Sequence, residues 1–68
     1  MSIDNIEAFL YVHHFGSINQ AAKALFLTQP TVTARIQSLE RELDVALFDR
    51  VGRRLVMTEE ARDFLPYA

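Results

Sequence analysis

The stretch Ser17–Leu43, SINQAAKALFLTQPTVTARIQSLEREL, holds two helical patterns with almost nothing between them. Ser17 is followed three residues later by Gln20, the reciprocal pairing of a capping box. Ile18, Ala21, Ala22 and Leu25 then give one apolar face, lined by small side chains that let another helix approach closely. Phe26 and Leu27 leave no room for a long loop. Thr28 is placed to cap the next helix, in which Pro30 is tolerated because the first turn has no intrahelical N–H bond to lose. Val32, Ile36, Leu39 and Leu43 fall within a narrow arc of that helix. Two helices joined this tightly predict a helix-turn-helix.

With Val32 at the centre of the buried arc, Pro30, Ala34, Gln37 and Arg41 point away from the core. Thr31 and Ser38 lie beside them, and Thr33 and Arg35 occupy opposite rims. A merely solvated face would carry Glu and Lys, which favour helix and solubility. Hydroxyls, an amide and methyl groups instead suit base edges in a major groove, and the free N–H groups of the first turn suit a phosphate. On pattern alone a DNA-binding unit and a protein-interaction domain fit equally, because such units occur in many domains and Ser17 and Thr28 are by default helix caps. A protein-binding face would, however, present an aromatic or leucine anchor there, and none is found.

The flanking segments complete the architecture. Ile3, Ile6, Phe9, Leu10 and Val12 or His13 recur at helical spacing, with Ser2 or Asp4 as cap and Gly16 as stop. From Ala46 to Met57 the period changes: Leu47-Phe48 and Leu55-Val56-Met57 flank Gly52 and three arginines, which predicts a small two-stranded hairpin. Thr58 caps a last helix, with Glu59 and Glu60 at its positive end and Ala61, Phe64 and Leu65 as its apolar stripe. That helix, about three turns long, stops abruptly, as a piece of something longer would. An arginine at a loop tip is as a rule a solvated charge. Beside a candidate recognition helix, Arg53 and Arg54 also read as a wing that reaches phosphates or a minor groove, while Arg50 is expected to pair with Asp49 or another carboxylate.

Bulk properties narrow the alternatives. A chain of 68 residues, half of them apolar, accommodates one small folded domain. The net charge of −2 argues against phosphate binding when taken alone, but its distribution does not. Asp4 and Glu7 lie near one end and Glu59, Glu60 and Asp63 near the other, whereas Lys23 and Arg35 are the only charges between Gly16 and Leu39. The middle and the Gly52 region are therefore locally basic. Without cysteine there is neither a disulfide framework nor a thiolate metal site. No apolar run approaches the ~20 residues of a membrane span, and no secretory signal opens the chain, so an intracellular, cytoplasmic protein is expected. Adjacent His13 and His14 cannot share one ligand face and are expected at the edge of the core. No catalytic constellation is present, so no enzyme, cofactor or metal is expected. Glu40, Glu42 and Asp44 are expected to pair with Arg41 or face solvent.

The run GSINQAAKALFLTQPTVTARIQSLERELDVALFDRVGRRLVMTEEA closely resembles the N-terminal domain of LysR-type transcriptional regulators. The likeness is carried by Phe9, Gly16-Ser17, Ala21-Ala22 with Leu25, Gln29-Pro30, Ile36, Leu39-Glu40, Leu43, Leu47-Phe48, Arg50, Gly52-Arg53, Thr58 and Leu65-Pro66-Tyr67-Ala68, and covers essentially the whole chain. The resemblance implies a mainly α fold with a small β-hairpin wing. A winged helix-turn-helix over residues 1–58 would be followed by the start of a linker helix over 59–68, truncated here, which in the family pairs protomers. It implies sequence-specific binding to double-stranded DNA as a homodimer, and a small-molecule effector sensed only through a missing C-terminal domain. For this fragment alone, association is expected to be weak or concentration-dependent. Position by position, Gln29, Pro30, Thr31 and Thr33 match residues that enter the major groove, and Arg35 matches a polar or basic position near bases or phosphate. Arg53 and Arg54 match the wing, and Ser17 and Thr28 match helix starts that approach phosphates. Many relatives carry a basic residue at the position of Ala34; a methyl there can touch a thymine methyl but cannot read guanine.

Overall fold

The computed structural model describes residues 1–52 and 54–68. Helices α1 (Ile3–Phe15), α2 (Ile18–Leu25) and α3 (Gln29–Leu43) precede a hairpin of β1 (Phe48–Val51) and β2 (Arg54–Met57). A short helix α4 (Glu59–Phe64) and a 3-10 turn, Leu65–Tyr67, follow. The winged helix-turn-helix expected from the sequence is the fold that forms.

Each helix starts at a hydroxyl. Ser2, rather than Asp4, caps α1, its oxygen accepting from the Asp4 N–H at 3.1 Å. Ser17 accepts from the Gln20 N–H at 3.1 Å, and Thr28 from the Thr31 N–H at 3.4 Å. These bonds satisfy donors that an isolated helix leaves open. The three long helices each end at a residue in the left-handed region: Gly16 (φ 65°), Phe26 (φ 58°) and Asp44 (φ 57°). Glycine adopts this conformation without strain, and aspartate tolerates it better than most. For Phe26 it is unfavourable, but it lets the Leu27 N–H reach the Ala22 carbonyl at 2.9 Å and passes the chain from α2 into α3 within two residues.

The core lies where α1 crosses α2 and α3. Phe9, Val12, Val32, Leu39 and Leu47 are fully buried, and Ala21 and Ala22 supply the small contact surface on α2. The predicted stripe of α1 is corrected at one place: Ala8 is buried, whereas Ile3 is 82% exposed. Relative to Ala8, Phe9 and Val12, Ile3 falls on nearly the opposite side of the helix. The Phe9 ring lies 5.6 Å from that of Phe48 and 5.5 Å from that of Phe64, so one side chain joins α1, the hairpin and α4. Such tilted aromatic pairs add to the burial energy of the rings themselves.

The hairpin is fastened at its root. Phe48 pairs with Met57 and Val51 with Arg54, and Gly52 follows with φ 65°. The Leu47 N–H donates to Glu40 Oε2 at 2.7 Å, and the Leu47 carbonyl accepts from the Thr58 N–H at 3.0 Å. The Thr58 hydroxyl donates to the Ala46 carbonyl at 2.6 Å while its oxygen accepts from the Ala61 N–H, which caps α4. Glu40 is thus a bracket between α3 and the hairpin, not a partner of Arg41, and Glu42 instead meets the N-terminal amine at 3.3 Å. The last helix is also shorter than its pattern predicts. Pro66 has no N–H for the carbonyl four residues back, and the chain tightens into the 3-10 turn.

Candidate nucleic-acid interface

The outward side of α3 begins at a tight polar turn. The Thr28 and Thr31 hydroxyl oxygens lie 2.9 Å apart, so one donates to the other, and Thr31 is half-buried while Thr28 is exposed. Gln29, Pro30, Ala34 and Gln37 are exposed, and with Thr33 they line one open hollow along the helix. Thr33 and Gln37 also border a cleft of about 360 Å³ between α3 and the hairpin, whose far wall includes Phe48, Arg50 and Leu55. Arg35 is half-buried on the opposite rim, and Arg54 is exposed on β2. Arg53, predicted for the wing, lies outside the described residues.

The fold brings most of the predicted set to one side and adds to it. Ser17, Asn19, Gln29, Arg50 and Leu55 border a single hollow at the start of α2. Across it the Gln29 side-chain amide donates to Asn19 Oδ1 at 3.1 Å. Arg50 does not pair with Asp49 through its guanidinium; the Asp49 carboxylate accepts the Arg50 backbone N–H at 2.9 Å. Among the described residues the one ion pair is that of Glu42 with the N-terminus, so Arg50 faces this hollow as an uncompensated cation. Asn19 and Arg50 were not among the sequence-derived candidates, and their link to Gln29 is tertiary. Gln37, foreseen on the outward face, joins both α3 hollows.

Two expectations are corrected. Ser38 was placed beside the outward face, yet its hydroxyl accepts from Asn5 Nδ2 at 3.1 Å and it lies half-buried toward α1. It stands about one-third of a turn from Val32, the centre of the buried arc, and the Asn5 amide draws it toward α1. His13 and His14 are exposed rather than at the edge of the core, His14 lying edge-on to Phe15 with 4.8 Å between rings. Among the described residues no three His, Asp or Glu side chains converge as metal ligands. None of the described helices is long and apolar enough to cross a membrane.

A helix-turn-helix with an exposed, uncharged second helix and a cation-bearing hairpin beside it defines the class of winged DNA-binding domains of transcriptional regulators. Residues 3–62 match the family described as bacterial regulatory helix-turn-helix protein, lysR family, and the chain belongs to that family. It is 46% identical, over all of its 68 residues, to an uncharacterised HTH-type transcriptional regulator from the ibpB–leuC intergenic region of Azotobacter vinelandii, spanning 47% of that protein. It is 41% identical over 63 residues to the HTH-type transcriptional regulator CitR of Bacillus subtilis, covering 93% of this chain and 22% of CitR. The chain therefore spans less than half the length of these relatives. A crystal structure of the CbnR DNA-binding domain in complex with DNA superposes with a TM-score of 0.91 at 33% identity, over 98% of this chain and 77% of that one.

Proposed function

We propose that this chain reads base sequence in duplex DNA through the first turns of α3, as the DNA-binding part of a bacterial transcription regulator. The observation that carries the proposal is the uncharged set Gln29, Pro30, Thr33 and Ala34 lining one open hollow along α3, with Arg50 on the two adjoining hollows that Thr33 and Gln29 also border. Base contacts specify and phosphate contacts position, and here the two kinds of side chain are segregated accordingly. Gln29, Thr31 and Thr33 discriminate bases, and the Ala34 methyl meets a thymine methyl. Arg35, Arg50, Arg54 and the hydroxyl-capped starts of α2 and α3, at Ser17 and Thr28, take phosphates, as does Arg53 on the sequence argument.

The competing protein-interaction reading relied on the stripe Ala61, Phe64 and Leu65. That stripe is largely spent inside the molecule: Ala61 is fully buried and Phe64 packs on Phe9. No catalytic role forms part of the proposal. Residues 1–58 serve as the reading domain and 59–68 begin a linker that pairs two protomers, placing recognition helices about one helical turn, or a multiple of it, apart. Association of the 68-residue chain by itself is weak and concentration-dependent, because an exposed helical end this short contributes little interface. Sedimentation at micromolar concentration tests this; a tight dimer contradicts it. The protein acts in the cytoplasm, and a small-molecule effector acts through other parts of the regulator.

Mobility-shift titrations at several salt concentrations, on random and selected duplexes, test the division of labour. Arg54→Ala is expected to weaken all sequences similarly and to lower the salt slope by about 1. Gln29→Ala is expected to change preference at one base pair by ~1–3 kcal/mol. Loss of a single sequence by Arg54→Ala overturns the assignment, and absence of binding to any duplex at low ionic strength overturns the function.

A further inference from the structure

We infer that Asn19 is a positioning residue for base readout: it holds the Gln29 carboxamide in one orientation. The inference rests on the DNA-reading function proposed above. Gln29 stands in the first turn of α3 and Asn19 in the first turn of α2, ten residues earlier, and the bond from Gln29 Nε2 to Asn19 Oδ1 measures 3.1 Å. Both residues are exposed and border the hollow that also contains Ser17 and Arg50, so the pair lies on the proposed DNA side.

A glutamine side chain has three rotatable bonds before its amide, and ordering it on binding is entropically unfavourable. The Asn19 carbonyl oxygen removes much of that freedom before DNA arrives, which is preorganisation in the strict sense. It also breaks the symmetry of the amide. One Nε2–H points at Asn19, leaving the Oε1 acceptor and the second N–H for a ligand. One acceptor beside one donor complements the N6 amino group and N7 of adenine and mismatches the two adjacent acceptors of guanine. In water the bond contributes little to stability; covered by a duplex it lies in a lower dielectric and holds the amide more firmly.

A double-substitution cycle tests this on duplexes selected from a random pool by the unaltered 68-residue protein, with each base tried at the position that Gln29→Ala identifies. Asn19→Ala is expected to flatten the preference at that same base pair by roughly threefold to tenfold, with the salt slope unaltered, and to add nothing in the Gln29→Ala background. Asn19→Asp keeps an acceptor for Nε2 and is expected to retain the preference while lowering affinity through its charge. If Asn19→Ala instead lowers affinity equally for every duplex with a shallower salt slope, Asn19 is a phosphate ligand and the inference fails. A changed preference at another base pair, or no change, overturns it as well. Circular dichroism confirms that each variant folds. If the unaltered protein selects no duplex, the functional proposal itself has failed; if it selects one and Gln29→Ala changes the preference while Asn19→Ala does not, only the present inference has.

Discussion

Thr28 and Thr58 each precede a helix, adopt extended backbone (φ −80° and −72°) and turn the hydroxyl oxygen to the N–H three residues on. Beyond that bond their surroundings diverge. The Thr58 hydroxyl donates into the hairpin root, to the Ala46 carbonyl, half-buried beside the cluster of Phe9, Phe48 and Phe64. The Thr28 hydroxyl meets only Thr31 and stands at an exposed turn with Gln29 and Pro30. The same local motif closes a structure in one place and leaves a surface available in the other. What separates the two regions is whether the remaining hydrogen-bonding capacity is consumed inside the molecule.

Substitutions on the two sides should therefore separate stability from DNA reading. The largest effect is expected from Phe9→Ala, which removes the ring shared by α1, the hairpin and α4 and costs about 3–5 kcal/mol, enough to unfold much of so small a domain. Urea denaturation measures it; a loss under 1 kcal/mol, on the order of a surface change, contradicts the packing described. Thr58→Val is next, at about 2 kcal/mol, because it removes the cap of α4 together with the hydroxyl's bonds to the Ala46 and Leu47 carbonyls at the hairpin root. The same change at Thr28 is expected to cost about 1 kcal/mol in stability and, in addition, to weaken DNA binding. Equal stability losses at the two threonines would erase the distinction between them. The smallest effect has the opposite sign. Phe26 is 95% exposed in a left-handed conformation, so Phe26→Asn, which relieves backbone strain without losing packing, should stabilise the fold by about 0.5–1 kcal/mol. Destabilisation on thermal melting would show that the ring makes a contact on which the turn depends.

The comparison also shows what a sequence reveals of such a domain. The caps at Ser17, Thr28 and Thr58, the stop at Gly16, the arc of Val32, Ile36 and Leu39 and the hairpin around Gly52 depend on neighbours within a few residues, and each was legible. The outward setting of Pro30, Ala34 and Gln37 followed from helical geometry alone, whereas Gln29 entered through the family resemblance. Features joined across the fold were not legible. Asn19 carries no local mark of its bond to Gln29, Ser38 none of its bond to Asn5, and Glu40 none of its bond to the Leu47 N–H. Arg50 was assigned to a neighbouring carboxylate, but Asp49 meets its backbone N–H and not its guanidinium. Phe26 lacks the glycine or asparagine that normally announces a left-handed helix end.

The central claim is that the start of α3, the start of α2 and the hairpin together form the surface that meets duplex DNA. Mapping backbone and side-chain amide shifts by NMR, while a duplex selected by this protein is titrated in, tests it most directly. The account predicts the largest changes at residues 17–19, 28–35 and 50–54, including the Gln29 and Asn19 carboxamides, and small ones in α4. Changes concentrated on α4 and the Leu65–Tyr67 turn, with residues 28–35 unmoved at saturation, would contradict it.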